Sequence, residues 1–519
     1  MEGHWSCTYK LGNALLWFGC QIRQYVTVEP VMLFFMLGSF LQYTAVIQLL
    51  YLKLCVIRFN DTAACRNLSS HRDMEKYTQD SASTWLIILN AFLTVASIVS
   101  TLFYGAWSDR VGRRVTIILP TVGSIVNGIV LIICARYMLS SPWYIVLGTA
   151  VMGLFGSFPT LTTAVFSYLG DMTTSENRTM RFGILEAMTF SGSFIGLVTG
   201  GVVIDYAGYI AVFAYYIACN VIVVLYTVFW LRESLPSSSS STASASSDSR
   251  VLVDDIDSQV ETELGSPDAT PKGCCQELVR FENVKSAIRV LITKRPQYGR
   301  LQIFLLVACL FALQLVGEGF GDTIILYLKK EPLEFNTSTI GFFQGLKNGL
   351  TALTLIIGMP LLRLTRLHDT VIAFLALVFR SGAFIMMAFA RDRLTVFLMP
   401  ILYCPSGIPA AVTRALLSKN VGTSEQGGMF SLTGALETMT TFLSSAIFNA
   451  LYPATKGVIG GGFVFVVMAV VLIVPMLLMM WVRDLQKGNI SHDFAQAPEH
   501  EARLEHVELD RATVESSSL

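Results

Sequence analysis

The chain has 519 residues, 53% of them hydrophobic and only 14% charged, with 37 basic side chains against 37 acidic ones. Soluble domains carry roughly a quarter charged residues, so a surface built mostly for water is excluded and lipid must be the second solvent. A net charge of zero leaves no electrostatic footprint for nucleic acid.

The N-terminal segment, residues 1–28, carries one short apolar stretch, Leu11 to Gly19, without an upstream basic cluster or a small-residue cleavage site. The first span is therefore expected to act as the signal. Apolar runs separated by short breaks then place about twelve membrane spans near 30–52, 84–104, 115–136, 142–169, 182–204, 209–231, 301–327, 340–362, 370–390, 394–415, 428–452 and 460–482. The fold class expected is an all-α integral membrane protein with two six-helix bundles, 29–231 and 301–482. Between them, residues 232–300 form a linker: five consecutive serines from Ser237, then an acidic run from Asp254 to Asp268. Near its end Leu278, Phe281, Ile288 and Leu291 recur among Arg280, Lys285, Arg289, Lys294 and Arg295, which predicts a basic amphipathic helix lying on the membrane. Residues 483–519 form a polar tail.

Arginine and lysine are concentrated in one set of loops, including Arg110, Arg113, Arg114, Arg178, Arg181 and Lys419, which puts both termini, the linker and the tail in the cytosol. Sequons at Asn60, Asn67 and Asn336 then fall on the opposite side, where they are candidates for glycosylation, whereas those at Asn177 and Asn489 face the cytosol. Cys134, Cys219, Cys309 and Cys404 lie in apolar spans and read as small buried hydrophobes. Cys55 and Cys65 fall in the polar segment after the first span and are candidates for a disulfide if that segment is outside the cytosol. Cys274 and Cys275 are adjacent in the linker, where an inert pair is the plainer reading beside lipidation.

Charged residues inside spans are costly and therefore mark function or a partner. Glu186, Glu318, Asp322, Lys347, Arg380, Arg414 and Glu437 are the set to explain. Gly192, Gly196 and Gly200 recur every fourth residue in the fifth span and predict close helix packing. Pro405 and Pro409 predict a broken helix in the tenth.

The loop Gly105-Ala106-Trp107-Ser108-Asp109-Arg110-Val111-Gly112-Arg113-Arg114 resembles the G-x-x-x-D-x-x-G-R-R loop of the major facilitator superfamily. Gly105 and Gly112 would allow close approach and a tight turn, and Asp109 would pair with Arg113 or with a neighbouring helix end. Six spans, a linker and six more spans agree with that family's parallel repeats. Gly358 through Arg363 to Arg366 looks like a decayed second copy.

A closer resemblance lies in the segments Arg414 to Lys419, Ser424 to Gly427 and Ile447 to Thr455, with Val28-Glu29-Pro30 and Ile184 to Ala187. These are similar to the proton-coupled folate transporter family, solute carrier family forty-six. The resemblance implies import of an organic anion such as a folate, a related metabolite or a small peptidoglycan fragment, driven by protons. It makes Glu186 the proton-coupling residue and matches Asp322 to an aspartate of the seventh span; Glu318, from its own position in that span, or Asp322 is expected to help it. It makes Arg414 a substrate-binding residue, to which Arg380, Lys347 and Glu437 are added from their position in spans. The chain departs from the family's pattern at Gly317, where a histidine is expected, and at Thr149 and Ser157, where an arginine and an aspartate are expected.

The expected partners are thus a small organic anion, protons and the lipid bilayer, with no nucleic acid and no cofactor. The expected location is the plasma membrane or an endolysosomal membrane. There is neither a Gly-x-x-x-x-Gly-Lys-Ser phosphate loop nor a Gly-x-Ser-x-Gly elbow, so an enzyme or an ATP-driven pump is not expected. The alternatives are an exporter of the same fold, separated by the direction of transport, and a non-transporting receptor, against which the seven charges argue.

Overall fold

The computed structural model describes residues 26–61, 64–65, 72–235, 281–296, 298–329, 333–364, 367–455 and 461–487. Ten segments among them are helical, long and apolar enough to cross a membrane.

In the N-terminal half, α1 spans Glu29–Phe59, with Pro30 in its first turn, where no N–H is needed. Its last turn closes on Asn60 in the left-handed conformation, φ 53°, with the Asn60 amide bonded to Val56 O. α2 (Arg72–Val111) and α3 (Arg113–Arg136) meet at Gly112, φ 119°. The Glu233 carboxylate accepts the amides of Arg113 at 2.8 Å and Arg114 at 3.3 Å, capping α3 from a distant part of the chain. A side chain at position 112 would run into that carboxylate, so the turn needs glycine both for its φ and for its space. α4 (Trp143–Leu154) and α5 (Ser157–Met172) make one pass broken at Gly156, φ 95°.

The 55-residue helix α6 (Ser175–Phe229) holds two passes, broken at Gly208 with φ 76° and ψ 178°. Gly192 and Gly196 lie against Leu33 and Leu37 of α1, while Tyr216 and Cys219 lie against Gly38 of the same helix. The chain therefore turns back on itself at Gly208. The glycine repeat of the fifth span does what its spacing predicts, bringing two backbones into contact.

In the C-terminal half, α8 (Gly299–Leu328) is followed by α9 (Thr337–Leu353), a π turn at Thr354–Gly358 and α10 (Met359–Leu364), which together make one pass. α11 covers Asp369–Ala388. α12 (Arg393–Tyr403) and α13 (Ile408–Lys419) are separated by a 3-10 turn, Cys404–Gly407, the break predicted from Pro405 and Pro409. α14 (Gln426–Ala454) is 29 residues long but carries too many hydroxyls and a glutamate to register as an apolar span. The last pass is α15 (Phe463–Val471) and its continuation, 473–487. Counting α6 as two passes and adding α14 gives the twelve spans expected, in two bundles.

At the end away from Asp109, Cys55 and Cys65 form a disulfide with Cα atoms 5.7 Å apart. Cys55 lies within α1, so the polar segment begins later than expected. Lys53, two residues earlier, is fully buried and donates to the carbonyls of Cys134, Tyr137 and Met138 and to Ser140 Oγ at 2.8–3.2 Å. It satisfies the open carbonyls at the end of α3 and ties α1 to that helix. Asn60 and Asn336 are both exposed. The Asn336 side chain accepts the Thr339 amide as the N-cap of α9. Asn67, Asn489, Cys274, Cys275 and most of the linker lie outside the described residues.

The amphipathic helix forms as α7 (Phe281–Ile292). Asn283, Ala287 and Val290 are the buried positions, packed against α2 and α14, while Ile288 is exposed. Helix packing, rather than the bilayer alone, holds it. Among the single cysteines, Cys134, Cys219 and Cys309 are buried as expected and Cys404 is half-buried at the break.

Candidate functional site

The loop from Gly105 to Arg114 lies where the two bundles meet. A Cβ on Gly105 of α2 would overlap Ser431 and the carbonyl of Gly427, so α2 and α14 touch backbone to backbone. Asp109 accepts the Gly427 amide at 2.9 Å and the Gly428 amide at 3.0 Å, placing a negative charge on the N-terminus of α14. Arg113 is fully buried and holds Asp109 at 2.6 Å and Asp171 at 2.9 Å. Asp109 thus makes both contacts its sequence position suggests, with Arg113 and with a helix end. Further links cross between the bundles at this level. Arg178 donates to Ser418 O at 3.0 Å, and Lys419 bridges Thr179 at 3.0 Å and Asp369 at 3.1 Å. This end of the molecule is closed.

Deeper in the molecule, Arg414 of α13 is buried between Glu186 of α6 and Glu437 of α14. Both Glu437 oxygens accept from Nη2 at 3.0 Å, and Glu186 pairs with Nη1. The guanidinium also lies 4.8 Å from the centre of the Phe166 ring. Thr162, Thr163, Phe430 and Thr433 complete a small recess around it. Glu186 belongs to the N-terminal bundle and Arg414 and Glu437 to the C-terminal one, so the cluster straddles the interface. It carries two carboxylates to one cation.

A second group of charges lies wholly in the C-terminal bundle. Lys347 Nζ stands 5.3 Å from the Phe320 ring and 5.6 Å from the Tyr403 ring. Arg380 Cζ stands 5.7 Å from Tyr403 and 5.8 Å from Phe384, and its Nη2 donates to Leu313 O at 3.3 Å. Phe320 and Tyr403 stack at 5.6 Å. Among the described residues no carboxylate lies within 4 Å of either cation. Ring faces contribute about 0.5–2 kcal/mol each and carry no net charge. Two cations sharing one tyrosine repel each other, and Glu318, though not in direct contact, is the carboxylate within electrostatic reach of Lys347.

Gly317, at the position where a histidine is expected, lies beside this group. A Cβ there would stand 3.1 Å from Arg380 Nη2, so the guanidinium occupies the space a side chain would take. Glu318, on the next residue, is exposed to the cleft. Asp322, one turn further on, accepts from Ser445 Oγ. Tyr43 of α1 is 57% exposed despite lying in mid-helix. It lies within electrostatic reach of Asp322 and Glu318 of the other bundle, so its exposure is to the cleft, which is open toward the disulfide end.

The proposed site residues separate into three places: the interface loop, the cluster at Arg414 and the aromatic shelf at Tyr403. Glu318 stands beside the shelf, within electrostatic reach of Lys347 and Tyr403, and Asp322 lies one turn further along α8. Glu233, Asp171, Asp369 and Tyr403 were not anticipated. Asp171 was recoverable, since it stands at the end of the uncharged run 137–170, whereas the cap made by Glu233 depends on the return of the sixth pass.

The family model for the Major Facilitator Superfamily matches residues 30–443. The chain is 27% identical over 425 residues to the rat (Rattus norvegicus) proton-coupled folate transporter, covering 82% of this chain and 83% of that one. It is 26% identical over 471 residues to the chicken (Gallus gallus) lysosomal proton-coupled steroid conjugate and bile acid symporter, covering 89% and 94%. The crystal structure of the human organic anion transporter MFSD10 superposes with a TM-score of 0.63 at 14% identity, over 87% of this chain and 98% of that one, which bears on the fold alone. With the interface loop, the two bundles and the match over 30–443 in agreement, the chain belongs to the major facilitator superfamily, as a multi-pass membrane transporter and not an enzyme.

Proposed function

We propose that the chain is a proton-coupled symporter that imports a small organic anion, such as a folate or a related metabolite, by alternating access. The observation that carries this reading is the separation of charges. Arg414 is held in direct contact by two carboxylates, one from each bundle, whereas Lys347 and Arg380 stand on aromatic faces with no carboxylate within 4 Å among the described residues. An anion entering the open cleft meets cations that no carboxylate touches, with flat rings beside them for its apolar part.

The Arg414 cluster is the coupling element in this reading. In the state described, the pair of Glu186 with Arg414 helps hold the bundles together on the side expected to be cytosolic. Protonating Glu186 removes one of the two charges that hold Arg414 across the interface. Glu437 then remains as the resident partner, so the guanidinium is never left buried alone. This shifts Glu437 from a substrate contact to a counter-ion and makes Arg414 available to substrate only once a proton is bound. Glu318 and Asp322 are the carboxylates through which a proton would enter.

The relatives named for proton-coupled folate and for steroid-conjugate transport support the substrate class and the coupling ion. Either a plasma membrane facing an acidic exterior or an endolysosomal membrane gives a proton gradient directed into the cytosol. The test is uptake of labelled folate, a labelled steroid sulfate and a labelled bile acid into cells carrying the protein at their surface, at mildly acidic and neutral external pH. Acid-stimulated accumulation of at least one anion is expected. Acid-stimulated efflux from preloaded cells would establish the exporter instead, and no flux of any anion in either direction would remove the transport reading.

A further inference from the structure

The helix α7 offers a surface that the transport cycle does not use. Its inner face is fixed to both bundles: Asn283 accepts from Arg110 at the end of α2, and Ala287 and Val290 lie against Gly428 at the start of α14. Just beyond it, Arg295 grips Glu425 at 2.6 Å and Asn420 O at 3.2 Å. At 100° per residue the buried positions 283, 287 and 290 define one side of the helix, and Lys285, Ile288, Arg289 and Ile292 fall on the opposite side. Those four are exposed, Ile288 at 45% and Ile292 at 58%, and Lys294 just beyond the helix is exposed as well. Among the described residues none of the three cations has a carboxylate within 4 Å.

A stripe of two bare isoleucines set between unpaired cations suits neither bulk water, which penalises the aliphatic groups, nor a protein interior, which would leave the charges unpaired. It suits the boundary layer of a bilayer, where apolar side chains enter the acyl region and cations meet phosphate. The helix also lies at the level of the Asp109 loop, where the spans end. We propose that the outer face of α7 seats on anionic phospholipid headgroups of the cytosolic leaflet, with Lys285, Arg289 and Lys294 as the phosphate contacts and Ile288 and Ile292 as the apolar anchor. Because its inner face touches both bundles, a lipid-seated α7 clamps the closed gate, and anionic lipid adds weight to the cytosol-closed state.

The experiment is hydrogen–deuterium exchange of the full chain in nanodiscs, comparing phosphatidylcholine alone with phosphatidylcholine containing phosphatidylserine. Amides of 281–292 should exchange roughly tenfold more slowly in the anionic discs. The triple variant K285Q/R289Q/K294Q should lose that difference, and I288S/I292S should reduce it. All five residues are exposed, so these variants should fold, and the comparison of lipids with the unaltered chain needs no variant. Equal exchange in the two discs, or an undiminished difference in the triple variant, would overturn the proposal. Inorganic phosphate added to phosphatidylcholine discs should give no protection, and full protection by phosphate would replace the lipid with a soluble anion.

Discussion

Arg414 and Glu186 form a buried ion pair that joins α13 of one bundle to α6 of the other, and Glu437 holds the same guanidinium from within its own bundle. Replacing Glu186 by glutamine imitates the protonated carboxyl without changing its shape. Glu186→Gln should therefore still bind substrate but take it up equally well at mildly acidic and neutral pH. A variant with the parent's full pH response would move the coupling proton elsewhere, first to Glu318.

Removing the cation has a different consequence, because two carboxylates would then face each other without a partner. Arg414→Gln should destabilise the protein by about 3–5 kcal/mol, the usual cost of breaking a buried pair from one side. The double variant R414Q/E437Q should recover a large part of that loss. Thermal unfolding of the purified proteins reads it, and a double variant no more stable than the single would show that Glu437 is not the resident counter-ion.

Lys347 and Arg380 should act on substrate affinity. Losing one side of a desolvated charge contact costs about 2–5 kcal/mol, so Lys347→Gln and Arg380→Gln should each raise KM at least tenfold at normal surface expression. Phe384→Leu, which removes one ring but no charge, should have a smaller effect. Unchanged KM in both glutamine variants would place the anion elsewhere.

Much of this arrangement was legible in the sequence, and for a physical reason. A charge in an apolar span is too costly to be accidental, so Glu186, Glu437, Lys347, Arg380 and Arg414 could be picked out one by one. Their partners could not, since pairing depends on how six-span bundles dock. The sequence offered Arg414 as the substrate cation, but two carboxylates already hold it, and Tyr403, which orders the other two cations, is an ordinary aromatic by composition. Fully buried Lys53 was missed because it sits just past the predicted end of the first span. The contact of α7 with α2 and α14 through Asn283, Ala287 and Val290 was not read from the sequence, because it too depends on how the bundles dock.

The interface loop should govern the cycle without touching substrate. Asp109→Asn keeps the shape but weakens the charge placed on the N-terminus of α14, and Gly105→Leu drives a side chain into Ser431. Both should lower the maximal uptake rate by about tenfold, a coupling of ordinary size, with KM nearly unchanged. Measuring both parameters at matched surface expression separates this from a binding defect. A variant that raised KM alone would contradict the assignment.

His368 gives the molecule a pH response distinct from transport. It stands at the N-cap of α11, outside the spans, where its Nδ1 accepts the Thr370 amide. That bond requires the neutral ring. Burial pushes its pKa below the ordinary 6.5, with Lys419, Arg483 and Lys487 acting in the same direction and Asp369 opposing them. A group whose pKa is depressed on folding stabilises the native state fully above its unfolded pKa, and that contribution is lost as pH falls through the lower, folded value. The loss should therefore begin below about pH 6.5 and grow with acidity. Neutral cytosol lies on the stable side of that window. His368→Asn retains a capping acceptor but cannot titrate, so the purified variant should lose less thermal stability than the parent between neutral and mildly acidic pH. Parallel melting curves for the two proteins across that range would show that His368 does not contribute to the acid response.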